Sequence, residues 1–126
     1  MTNHIEIARR AVACKGWRWA PGIRYLVPRI SPLESIAGRV PDLTRGWTRP
    51  PGMLSDLTDP ATLGCLLALV REAWGDPRLV AIYCEAAHLG QSEGWAVQCA
   101  DNRLPVAGED YPSEAKALVA ALEAAP

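Results

Sequence analysis

The feature that most constrains this chain is the run from Asp59 to Pro77, DPATLGCLLALVREAWGDP, because it reads as one helix with both ends marked. Asp59 suits the N-cap, where a side-chain oxygen accepts from the free amides of the first turn. Pro60 suits the first helical position, which needs no amide hydrogen. A carboxylate at that end also faces the positive pole of the helix dipole. Leu63, Leu66, Leu67, Val70 and Trp74 fall at helical spacing and predict a core-facing stripe. Gly75 and Asp76-Pro77 predict the stop. An amphipathic helix gains most of its stability from what covers its apolar face, so the rest of the chain must supply that cover.

Two more helices are predicted around it. The first spans about Asn3 to Lys15, with Asn3 and Glu6 at capping-box spacing, Ile5, Ala8 and Val12 as its apolar face, and Gly16 as a left-handed stop. The last starts near Ser113 and carries Ala115, Leu118, Val119 and Leu122 as its stripe. Strand-like alternation marks Leu79 to Ala86, with Val80, Ile82 and Cys84 on one face, and Gly94 to Ala100, with Trp95, Val97 and Cys99 on one face. The polar, Gly-containing linker from His88 to Glu93 predicts that these two form a hairpin. Trp17-Arg18-Trp19 and Ile23 to Val27 also alternate around a Pro21-Gly22 turn signal, as a hairpin or as one strand broken by a bend.

Residues 28–58 form a proline-rich stretch of low periodicity, with one short helical turn expected at Leu33 to Ala37. A long aperiodic segment within a small domain is either functional or docked on the body. The whole chain of 126 residues fits one domain. The predicted fold is α+β, a small antiparallel sheet of three to four strands packed with about three helices in a layered sandwich.

Apolar residues make up 49% of the chain and charged residues 21%, enough for a core without disulfide or metal staples. Phe is absent, so Trp and Tyr carry the aromatic share of the core, each with a polar tip that needs a partner. Cys14, Cys65, Cys84 and Cys99 are widely spaced and read as free thiols. Cys84 and His88 have Cys-x-x-x-His spacing, but zinc wants four ligands and no second pair lies nearby, so no metal is expected. With no apolar leader and no long apolar run, the expected location is the cytoplasm, with no membrane partner.

Catalytic motifs are missing. His4 and His88 are the two histidines, neither beside a nucleophile motif, and no glycine cluster opens a helix to cradle phosphate. The chain is therefore expected to be non-enzymatic, with no catalytic residues and no cofactor.

Charge is unevenly distributed. Residues 1–54 hold nine basic and three acidic residues, net +6, and residues 55–126 hold four basic and eleven acidic, net −7. Such asymmetry marks a binding surface unless the two halves interleave and cancel. In the basic half, Arg18 lies between Trp17 and Trp19, and Trp47 lies between Arg45 and Arg49, with Arg39 nearby. Arg with Trp suits protein hot spots and also stacking on bases. The candidate binding residues are Arg39, Arg45, Trp47, Arg49 and Arg18, and Arg39 to Gly52 is the expected working surface.

The run LTDPATLGCLLALVREAWGDP, the opening HIEIARRAVACKGWRW and the ending EAKALVAALEAAP resemble segments of small uncharacterised proteins of tailed phages and prophages. Some of these are grouped with a phage domain of helix–sheet–helix sandwich type. The resemblance covers the two ends and the central helix, and leaves residues 28–54 outside it. It brings no established activity and no site residues. It implies a phage-type accessory protein, working in the cytoplasm of a host bacterium, that binds and inhibits or modulates a host protein, an anti-defence factor among the options. The alternative reading is a protein that sequesters a nucleotide or nucleic acid through the basic aromatic segment.

Overall fold

The computed structural model describes residues 4–27, 36–41, 52–84, 94–99, 111 and 113–126. Along the chain these form α1 (His4–Ala13), β1 (Arg24–Val27), β2 (Ile36–Arg39), β3 (Leu54–Ser55), α2 (Pro60–Trp74), β4 (Leu79–Cys84), β5 (Gly94–Cys99) and α3 (Glu114–Ala124). The fold is mixed α+β. Its strands make two antiparallel sheets, one of three strands in the order β2-β1-β3 and one hairpin, β4-β5.

The central helix has the ends its sequence predicts. Asp59 Oδ2 accepts from the Thr62 amide at 3.0 Å. At the other end Gly75 takes φ 66°, a left-handed conformation that glycine adopts without strain. The Gly75 amide donates to the Glu72 carbonyl at 3.2 Å and the Asp76 amide to the Arg71 carbonyl at 3.0 Å, a Schellman closure. Its apolar band is wider than the predicted stripe. Leu66, Leu69 and Val70 are fully buried, whereas Leu63, Leu67 and Trp74 flank them half-buried. The helix packs on both α3 and β4, so two neighbours share its apolar surface.

α3 begins where Ser113 Oγ accepts from the Lys116 amide at 3.1 Å. Ala115, Leu118, Val119 and Leu122 are buried as their spacing predicts, and Ala117 and Ala121 are buried as well. α3 thus lies at the centre, touching α1, α2, β4 and β5. Trp74 Nε1 donates to the Ala121 carbonyl at 2.8 Å, which satisfies the indole and ties α2 to α3.

α1 departs from its predicted face. Ile7, Ala8 and Ala11 are buried, whereas Ile5 is 40% exposed. Gly16 is not a left-handed stop, since it is not among the positive-φ glycines. It serves close packing instead: a Cβ there would lie 3.0 Å from Leu122 Cδ1 and 3.2 Å from Ala73 Cβ.

Trp17 to Ala20 is not a strand. The alternation there brings Trp17 and Trp19 into an edge-to-face pair, ring centroids 5.2 Å apart. Pro21-Gly22 does turn the chain, with Gly22 at φ 95°. The expected helical turn at Leu33 to Ala37 is overturned at its end, because Ile36 and Ala37 belong to β2, and its start lies outside the described residues. The stretch read as irregular, 28–58, contains both β2 and β3. Neither is long enough to show a pattern, and both are held by pairing with β1 across many residues. In the hairpin, Leu79 and Ala81 face the core opposite Cys99 and Val97 in the ladder, so the face of β4 carrying Val80 and Ile82 points away from it. No described helix is long and apolar enough to cross a membrane.

Candidate functional site

Of the five candidate binding residues, the two that are described, Arg39 and Arg18, lie near opposite ends of α2. Arg45, Trp47 and Arg49 lie outside the described residues, as does the rest of the expected surface between Asp42 and Pro51. Arg39 and Arg18 are described, and each is held by its own acid.

Arg39 is built into a polar joint between α2 and the three-stranded sheet. Its Nη1 donates to the Gly22 carbonyl at 2.6 Å and to Asp59 Oδ2 at 2.8 Å, and Nη2 donates to Asp59 Oδ1 at 3.2 Å. Two-pronged contact with a carboxylate suits the planar guanidinium. The same Asp59 caps α2, so one carboxylate serves helix and sheet together. The buried Thr62 hydroxyl donates to Asp59 Oδ2 at 2.8 Å and accepts from the Arg24 amide of β1 at 2.8 Å. Arg24 Nε lies 2.9 Å from Asp56 Oδ2. Asp56 Oδ1 in turn accepts from the Thr58 amide at 3.1 Å and the Thr58 hydroxyl at 2.5 Å. The hydrogen bonds from Arg39, and then those from Thr62, hold the Asp59 carboxyl well below the usual carboxylate range. Asp59 raises the pKa of Arg39 in return.

Arg18 meets Glu72 of α2 at 2.5 Å, with both side chains more than 60% exposed. Such a pair is loosely held and remains open to a partner. Arg10 pairs with Glu123 of α3 on two hydrogen bonds, which raises the arginine's pKa. Arg10, Arg18, Arg24 and Arg39 all come from the basic half of the sequence. Glu123, Glu72, Asp56 and Asp59 all come from the acidic half. Among the described residues, then, the fold interleaves the two halves, and much of the asymmetry cancels inside one molecule.

Two clefts remain. One, of about 470 Å³, lies among the C-terminal ends of α1, α2 and α3 and is lined by Arg10, Cys14, Lys15, Ala73, Leu122 and Glu123. Burial pushes the Cys14 thiol pKa up, and the thiol donates to the Arg10 carbonyl at 3.2 Å, so its reactive thiolate is disfavoured. Cys84 and Cys99 sit at opposite ends of the β4–β5 ladder, too far apart along the strands to bridge. The second cleft, of about 280 Å³, lies between α1 and β3, with Ile5, Ala8, Leu26, Leu54 and Leu57 in its wall. Sequence reasoning missed it by placing Ile5 on the buried face of α1. Among the described residues, no group of three or more His, Cys, Asp or Glu side chains is placed to hold a metal ion.

No family model, curated protein or solved structure matches this chain.

Proposed function

We propose that this chain is a non-enzymatic accessory protein of the phage and prophage kind, which binds a host protein and inhibits or modulates it. The observation that carries the preference for a protein partner over nucleic acid is the interleaving of charge. A nucleic-acid surface draws its affinity from unpaired cations that displace counterions from phosphate. Among the described residues, Arg10, Arg24 and Arg39, three of the six basic residues of the first half, are paired with acids of the second, and Arg18 is paired loosely at the surface. Arg39 in particular is withdrawn from the proposed contact surface and assigned to the joint. The contact residues that remain are Trp47 with Arg45 and Arg49, and Arg18 at the edge. The phage setting rests on the resemblance of the two ends and the central helix, and the proposed targets are host machinery or host defence.

The test is affinity capture from a bacterial host lysate with the wild-type chain, Trp47→Ala, and the double variant Arg45→Ala, Arg49→Ala. The expected result is one host protein held in stoichiometric amount by the wild type and lost by both folded variants. Excess absorbance near 260 nm on the purified chain, with no protein captured, would favour the nucleotide-binding alternative.

A further inference from the structure

We infer that the outer edge of β2 pairs two copies of this chain, antiparallel across a two-fold axis at Gly38. The edges of the two sheets differ in how they are closed. β3 lies against α1. The outer edge of β5 is met by Tyr111, whose amide and carbonyl exchange hydrogen bonds with Trp95 at 3.2 and 2.8 Å. On β4, Arg71 Nε caps the Leu79 carbonyl at 2.8 Å, at one end of the outer edge. β2 is the outer strand of its sheet, and no element among the described residues covers its outer edge.

The direction of its free groups follows from β1. The Arg24 amide donates to Thr62 and its carbonyl accepts from the Asp56 amide, so Arg24 turns both groups away from β2. Its partner Arg39 therefore turns its own amide and carbonyl outward, and by alternation so does Ala37, while Gly38 bonds inward to Tyr25. The outward groups of Ala37 and Arg39 meet no partner among the described residues, and both residues are exposed. An open edge of this kind is a template for another strand.

A second copy fits that edge better than a foreign peptide. The two outward residues are placed symmetrically about Gly38, so a two-fold axis there sets Ala37 opposite Arg39 twice. Each such pair exchanges two hydrogen bonds, so four hydrogen bonds satisfy the four outward amides and four outward carbonyls of the dimer's central pairs. Each Arg39 then faces a methyl group, its charge already held by Asp59 of its own chain. At the axis Gly38 has no side chain, and Tyr25 lies across it, since a Cβ there would sit 2.5 Å from the Tyr25 hydroxyl. A foreign strand would draw specificity from pockets for alternate side chains. Ala37 is too small to build one, and Arg39 is folded back onto the sheet. This pairing stands independently of the proposed host partner.

The test is sedimentation of the full chain from about 10 µM to about 1 mM, the range in which a small interface associates. The wild type should pass from monomer to dimer. Ala37→Pro removes only an outward amide and suits an edge strand, so it should weaken association by at least about tenfold. Ala37→Val keeps the amide and should still dimerise. Amide exchange on the unmodified chain gives a check free of folding effects. Ala37 and Arg39 should gain protection as concentration rises, while Gly38, bonded to β1, stays protected throughout. A monomer over the whole range would overturn the inference. So would a dimer untouched by Ala37→Pro, or protection of Ala37 and Arg39 that arises only when a different protein is added.

Discussion

From its middle onward α2 is held by Leu66, Leu69 and Val70, side chains that water rejects, and at its N-terminus by Asp59 and Thr62, groups that water would accept. The apolar half is non-directional: it needs volume and shape, and several neighbours supply both. The polar end is directional, with every hydrogen bond drawn between named atoms on α2, β1 and β2. The first kind of contact sets how stable the domain is. The second fixes where the three-stranded sheet stands relative to the helix. The same Asp-Pro start that makes the helix easy to recognise is also the point at which the sheet is attached.

The largest expected effect separates the fully buried stripe from its flank. Leu66→Ala or Leu69→Ala removes a side chain with no more than 1% exposure. Either should cost about 2–5 kcal/mol, a fall in Tm on the order of 10 °C. Leu67→Ala, at the half-buried flank, should cost less. Equal losses at all three positions would erase the distinction between stripe and flank and would show that the band of α2 is buried evenly.

The polar end should respond to acid where the apolar half does not. Asp59 has a folded pKa lowered from its ordinary value of 3.8. A lowered carboxylate contributes stability that is fully present above that ordinary value and is lost as pH falls through the folded one. Unfolding measured from pH 7 down to pH 2 should therefore show a loss below about pH 4 that Asp59→Asn flattens. The variant should also melt several degrees lower at pH 7, because a neutral amide weakens the clamp on Arg39. An acid limb that is the same in both proteins would remove Asp59 from the account.

The smallest effect belongs to the exposed pair. Arg18→Ala should change stability by less than about 1 kcal/mol, since both Arg18 and Glu72 stay mostly in water. A larger loss would mean that the surface pair is as structural as the joint.

Legibility in the sequence followed the range of the interaction. α2, α3 and the β4–β5 hairpin were readable because their signals are local: Asp59-Pro60, Gly75, Ser113, and alternation at Leu79 and Gly94. β2 and β3 were not, because four residues and two residues carry too little pattern, and their pairing with β1 is what makes them strands. The face of β4 was not readable either, since Val80 and Ile82 are more apolar than Ala81, yet Ala81 is the residue that turns to the core. Arg39 was legible as notable and illegible in role. Its partner lies twenty positions away, and nothing near Arg39 in the chain names Asp59. The same holds for Arg18, whose acid is 54 positions distant. Charge asymmetry along the sequence was visible, while its cancellation required the fold.

Four arginines of the basic half, Arg10, Arg18, Arg24 and Arg39, are engaged within the molecule, and Arg39 with Asp59 is the clearest case. The direct measurement is a double-mutant cycle on Arg39→Ala and Asp59→Ala, read by denaturant unfolding at neutral pH. Strong coupling is expected, with the double variant losing clearly less than the sum of the two single losses, because each single change already breaks the clamp. Additive losses would contradict it: they would mean that the two groups stabilise the domain independently, and would return Arg39 to the list of residues free to meet a partner.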